Sequence, residues 1–269
     1  MIKKIFHSEY GDVHYWISDV VNKESLTIFF LHGLTASHEL FVNQVDYFAR
    51  EYNVIVWDAP AHGLSRPYKG FSYENAANAA VNILKENRID SAVFIGQSMG
   101  GYMAQSVIKR FPDFVKAFVS IDSTPFGEKY YSKFDRWILK HFEGMAKMYP
   151  DNMIRKAIAK QCTNTTHAYE NMSKMLSVYD KNELCHLMAI GYAGFMEDNC
   201  DLQINCPTLL IVGDCDKTGK VQYYNKEWSK DINVPITWIK DAAHNSNDDQ
   251  PEQVNKCIKD FLLGSVENF

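Results

Sequence analysis

Six short, unbroken apolar runs set between amphipathic stretches leave this chain few folds to adopt. They occupy residues 26–31, 54–57, 92–95, 117–121, 208–212 and 236–239. A strand with one wet face alternates apolar and polar side chains, so a run without alternation reads as a strand covered on both faces. Segments of helical periodicity lie between most of them, at 40–50, 73–86, 101–111, 221–230 and 252–263. Such repetition implies right-handed crossovers and an α/β fold with a mostly parallel, doubly wound sheet. Ahead of the first run, residues 3–9 and 13–18 read as two strands about a Gly11-Asp12 turn, an antiparallel hairpin at the sheet edge.

One interval breaks the rhythm. Between Pro125 and Asn205 no strand-like run occurs, and the distance is far too long for a single crossover. It reads as helices at 129–149, 151–162, 168–179 and 184–196, punctuated by Pro150 and by Thr163-Asn164-Thr165-Thr166. The expectation is a core domain of residues 1–124 and 206–269 with a helical cap, 125–205, over the strand ends where open α/β sheets bind ligands. Seven of the ten methionines fall between Met145 and Met196, among aromatics such as Tyr131, Phe142, Tyr192 and Phe195. Most should pack the cap onto the core, leaving a few to line an apolar, adaptable pocket.

Composition narrows the partners. Charged residues make up 23% and hydrophobic ones 46% of 269 residues, which suits a soluble globular chain. A net charge of −5 with scattered lysines argues against nucleic acid. Residues 1–10 hold two lysines but no apolar segment of signal-peptide length, and no later stretch approaches a membrane span, so a cytoplasmic location is expected. The six cysteines form no C-x-x-C pair and read as reduced, mostly buried packing residues, with no zinc site expected.

The chemistry concentrates at Gly96-Gln97-Ser98-Met99-Gly100-Gly101, entered from an apolar strand and followed by a helical segment. A serine hydroxyl is a weak nucleophile at neutral pH, so a turn must present it clear of its own backbone to a base. Glycines flank it because bulk would collide in so sharp a turn. The bland alternative is a Gly-rich strand end at which Ser98 merely caps the next helix. A base is at hand in His244, on the loop after the last expected strand. An acid could come from Asp214 or Asp216 after the run ending near Gly213, from Asp122 after Ile121, or from Asp241.

Four motifs in order carry a resemblance. They are His32-Gly33-Leu34-Thr35-Ala36-Ser37, Asp58-Ala59-Pro60-Ala61-His62-Gly63-Leu64-Ser65, the Ser98 turn, and the acid and histidine loops. On these the chain resembles the α/β-hydrolase superfamily over nearly its whole length, with the order Ser98, Asp216, His244. The resemblance implies Ser98 as nucleophile, His244 as base, Asp216 as acid, and an oxyanion hole of the Leu34 and Met99 backbone N–H groups. It makes His32 and His62 structural. The chain departs from the pattern in having Lys217-Thr218-Gly219-Lys220 where relatives often place a proline, and Ala243 where they often place glycine.

The implied activity is hydrolysis of a small carboxylic ester or related acyl compound with an apolar portion, through an acyl-enzyme and without metal or organic cofactor. Serine in place of aspartate disfavours dehalogenase and epoxide hydrolase chemistry, and Met99 in place of tryptophan disfavours a proline iminopeptidase. Two alternatives stay open. One is carbon-carbon cleavage or a menaquinone-synthase-like lyase step, which would ask for arginine forks where the chain has Tyr102, and Arg136 and Arg155 in the cap. The other is a non-catalytic relative that binds a small ligand.

Overall fold

Alternation within one strand sets the layering. Ile28 and Phe30 point into one apolar core, Phe29 and Leu31 into the other, and all four are fully buried. The computed structural model describes residues 1–22, 24–137 and 147–267. Strands β1 (Ile2–Ser8), β2 (Gly11–Ile17), β3 (Thr27–Leu31), β4 (Asn53–Trp57), β5 (Ala92–Gln97), β6 (Val115–Ile121), β7 (Thr208–Gly213) and β8 (Ile236–Ile239) form one sheet in the order β1-β2-β4-β3-β5-β6-β7-β8. From β4 to β8 every pairing is parallel, while β1 and β2 add an antiparallel edge. This is the expected α/β architecture, a mostly parallel sheet with an antiparallel edge.

The hairpin turn is displaced from the expected place. Ser8 pairs with Gly11, so the tight turn is Glu9-Tyr10 and Gly11 opens β2. Gly11 is nonetheless needed, since it holds φ +145° and a Cβ there would lie 2.7 Å from Pro67 O.

Helices cover both faces. Helix α1 (Val42–Phe48) lies on one side with the final helix, whose Val254, Ile258 and Leu262 join the Phe30 core. On the other, α2 (Tyr73–Glu86) and α3 (Met99–Arg110) bring Ala76, Ala80 and Val107 against Phe29 and Phe94. Small alanines on α2 let it sit close to α3. Between β6 and β7 come α4 (Asp151–Cys162), α5 (Thr166–Ser177) and α6 (Lys181–Asp198), followed later by α7 (Val221–Ile232) and α8 (Pro251–Ser265). The expected helix at 129–149, with Phe142 and Met145, falls partly on residues outside those described.

The helical segment is tied down by polar contacts as well as apolar ones. Thr165 accepts the Ala168 N–H at the start of α5, and Asp180 with Glu183 forms a reciprocal cap at the start of α6. At the far end of α6, the buried Asp198 carboxylate receives Arg110 at 2.6 Å and Lys109 at 2.9 Å from α3. Paired charges of this kind keep α6 in one place because separation would strand a carboxylate out of water. Among the described residues no helix is long and apolar enough to cross a membrane. All six cysteines are free thiols, but only Cys185 is fully buried, because Cys200, Cys206 and Cys215 lie in connections rather than in the core.

Candidate active site

Ser98 stands between β5 and α3 with φ 50° and ψ −115°. That left-handed conformation costs a residue with a Cβ about 1–3 kcal/mol and persists only where neighbours impose it. Here the Ser98 N–H donates to Ile121 O at 2.9 Å, the Gly101 N–H donates to Ser98 O at 2.9 Å, and the Ser123 hydroxyl donates to the same oxygen at 2.7 Å. The close approach explains the glycines. A Cβ on Gly100 would lie 1.8 Å from Leu31 O, and one on Gly96 2.3 Å from Gly100 O. Gly100→Ala is expected to lower stability by about 3 kcal/mol, since backbone rather than a yielding side chain blocks the methyl. Urea unfolding would measure it beside Gly264→Ala in α8, where a Cβ meets nothing within 4 Å and stability should rise slightly.

The turn also starts the helix earlier than the glycine pair suggests. Helix α3 begins at Met99 and so contains Gly100 and Gly101, poor helix formers held there by the elbow. The Ser98 hydroxyl makes no capping bond to α3. It lies 2.8 Å from His244 Nε2, and His244 Nδ1 lies 2.8 Å from Asp216 Oδ2.

Among the candidate acids the geometry is selective. Asp214 and Asp241 are exposed. Asp216 is buried and its second oxygen accepts the Thr218 N–H at 2.7 Å, which fixes the plane of the carboxylate. Asp122 is fully buried as well, but its oxygens accept the Gly213 N–H at 2.7 Å and the Ser246 N–H at 3.0 Å. It thus ties the end of β7 to the loop after His244. Burial and the charge of Asp216 push the Asp122 carboxyl above the usual carboxylate range. Burial pulls the His244 imidazole down, yet the charge and hydrogen bond of Asp216, helped by Asp122, lift it above its ordinary 6.5.

The other motif histidines have protons already placed. His32 Nε2 accepts the Ala59 N–H at 2.9 Å, so its Nδ1 carries the proton and donates to Gly33 O at 2.8 Å. His62 Nδ1 donates to Pro60 O at 3.0 Å. Burial pushes His32 down to about 4 and His62 to about 3, so both are neutral struts. His32 shapes the loop that carries Leu34. In that loop the Ala36 N–H donates to Gly33 O at 3.2 Å, with Thr35 at φ 64°. A Cβ on Gly33 would lie 3.3 Å from Ser98 Cβ, which shows how closely the loop passes the serine. Met99 is the first residue of α3, so its N–H has no acceptor within the helix.

Three further side chains hold this arrangement, and of these the sequence reading singled out only Asp122, as a candidate acid. Gln97 Nε2 donates to His244 O at 2.7 Å, so the residue before Ser98 grips the backbone of the histidine. Asp249 accepts the Ala243 N–H at 2.9 Å and, on its other side, the Thr165 N–H at 2.8 Å and hydroxyl at 2.9 Å. It joins the histidine loop to the start of α5. An amide inside an apolar strand end was a visible signal for Gln97.

Ser98 and His244 open into a cavity of about 450 Å³, which Leu34 and Met99 also line, together with Met172, Met188, Tyr192 and Phe195 from the helical segment. Cys162 lines it too, but burial pushes its thiol up to about 12, so it is no competing nucleophile. Among the described residues no group of His, Cys, Asp and Glu is placed to hold a metal ion.

A model of the alpha/beta hydrolase fold family matches residues 27–251. The chain belongs to that family. As an α/β hydrolase it is similar to a Haemophilus influenzae protein provisionally named an esterase/lipase, 23% identical over 97% of this chain and 90% of that protein. It is also similar to 3-oxoadipate enol-lactonase 1 of Acinetobacter baylyi, 22% identical over 87% of this chain and 88% of that one. Among solved α/β-hydrolase structures, a thermophilic esterase from Thermogutta terrifontis superposes with a TM-score of 0.79 at 19% identity, covering 97% of each chain.

Proposed function

We propose that this α/β hydrolase cleaves a small carboxylic ester with an apolar portion, using Ser98, His244 and Asp216 as a catalytic triad and residues 125–205 as a cap over the site. The observation that carries the reading is the unbroken relay from Asp216 Oδ2 through both His244 nitrogens to Ser98 Oγ, each link 2.8 Å. Ser98 Oγ attacks the ester carbon while His244 Nε2 takes its proton. The Leu34 and Met99 N–H groups receive the oxyanion, where one lost donor would cost about 3 to 4 kcal/mol. His244 returns the proton to the departing alkoxide. Water, deprotonated by the same nitrogen, then attacks the acyl carbon and frees Ser98.

Arginine forks for a diacid substrate have no counterpart among the described cavity residues. Arg155 is spent on Asp151 at 2.9 Å and on the Leu176 and Tyr179 carbonyls, and Arg136 reaches Glu128 at 3.3 Å. That weighs against carbon-carbon cleavage of a polyanion.

The test is hydrolysis of p-nitrophenyl esters from acetate to decanoate, before and after a fluorophosphonate probe. Turnover that ends when one probe is attached at Ser98 supports the reading, and labelling elsewhere or no turnover on any ester sinks it. A second expected result concerns pH. The base must be neutral, and His244 has a raised pKa, so kcat/KM should climb about tenfold per pH unit on the acid side and level off only above the ordinary histidine value. A midpoint below 6.5 would contradict the lifting effect of Asp216.

A further inference from the structure

Tyr73, Tyr102, Tyr131 and Tyr224 all line the cavity, and the hydroxyl protons of the first three are already spent inside the protein. The Tyr131 hydroxyl donates to Pro125 O at 2.6 Å, because a carbonyl can only accept. Thr124 Oγ1, 2.7 Å from Tyr131 Oη, must therefore donate to it. Tyr102 Oη, 2.7 Å from Thr124 Oγ1, must donate in turn. Tyr73 donates to Gly191 O at 3.0 Å. Tyr224 packs against Tyr131, with ring centroids 4.7 Å apart. Burial opposes ionisation of Asp135, but the bond from Lys220 and those from Ser132 hold it down at about 2, so it stays an ionised carboxylate. A phenol whose one proton is committed can only accept from a ligand.

Charge and position add to this. Lys220 Nζ lies 2.8 Å from Asp135 Oδ1, so this wall offers neither an unpaired cation nor an unpaired carboxylate. Tyr102 follows Ser98 by four residues at the start of α3, one helical turn or about 6 Å along the axis. The rings of Phe195 and Tyr102 are 4.5 Å apart, and those of Tyr131 and Phe195 5.1 Å, so Phe195 packs against both phenol rings.

We propose that the Tyr102 and Tyr131 pair is a subsite for a neutral hydrogen-bond donor, a hydroxyl or amide N–H carried on the apolar part of the substrate. The proposal rests on the ester-hydrolase reading and names its substrate class. A methyl ether of the same length would set its lone pairs against those of the phenols, and a carboxylate would do the same with no unpaired cation to meet it. An ammonium would be taken out of water with no free anion to meet it.

The experiment compares p-nitrophenyl hexanoates whose terminal carbon carries hydroxyl, primary amide, methyl, methoxy, carboxylate or ammonium. The hydroxyl or amide ester should exceed the methoxy ester about tenfold in kcat/KM, and Tyr102→Phe should bring that ratio towards one. Parity in the native protein, or a carboxylate or ammonium ester in front, overturns the subsite. Calorimetric binding of methyl 6-hydroxyhexanoate and methyl 6-methoxyhexanoate to the Ser98→Ala variant separates the two readings. If no ester is turned over, the hydrolase reading fails alone. The subsite then stands on tighter binding of the hydroxy compound and falls on equal binding.

Discussion

Ser98→Ala is expected to lower kcat on p-nitrophenyl acetate by at least about 10⁴-fold while the protein stays folded. Alanine keeps the Cβ, so the strained backbone at φ 50° is neither relieved nor worsened, and the bonds that impose it are all main-chain or from Ser123. Only the 2.8 Å contact to His244 is lost. The imidazole then faces the cavity, where water can take the place of the hydroxyl. No nearby group can stand in for the oxygen, since the Cys162 thiol is held protonated by burial. Circular dichroism and Tm should match the native protein, and fluorophosphonate labelling should vanish. Activity kept above a tenth of native would remove Ser98 from the chemistry.

Much of the sheet was legible because its central strands carry no polar interruption. The runs at β3 and β4 are buried at every position, and a strand covered on both faces leaves that mark. Helix α4 coincides with the expected 151–162, where Pro150 leaves a clean start. Boundaries that depend on tertiary contact were harder. The 40–50 helix is a short 3-10 turn, His38–Phe41, followed by α1, because Asp58 accepts the His38 N–H at 2.8 Å and its imidazole at 2.7 Å and so fixes where the chain enters. The Ser98 turn, His244 and Asp216 could be found from motif order. Most of their supports could not. Asn245-Ser246-Asn247-Asp248-Asp249 looks like a solvated loop, yet all of it is buried. Asn247 donates to Leu40 O at 2.8 Å, and Gln44 donates to Asn247 O at 3.0 Å. Asn247 is held in the interior by these two bonds, and partners some two hundred residues away leave no local pattern.

Asp216→Asn is expected to lower kcat by about 10⁴-fold through a change of tautomer rather than a loss of shape. The side chain has two fixed neighbours. Its Oδ1 accepts the Thr218 N–H at 2.7 Å, and its Oδ2 faces His244 Nδ1 at 2.8 Å. In asparagine the amide oxygen must take the Thr218 side, because an NH₂ group there would confront another donor. That places NH₂ against His244 Nδ1, which can then only accept. The ring proton moves to Nε2, and a nitrogen that carries a proton cannot take one from Ser98. Losing the Asp216 charge also removes the main lift on His244, so burial prevails and the acid limb of the residual activity should move to lower pH. The pairing of these outcomes is diagnostic: a fall in kcat with an unmoved limb would mean that Asp216 acts only as scaffold. A protein that keeps native kcat would transfer the role of acid to Asp122, the other buried carboxylate beside this histidine.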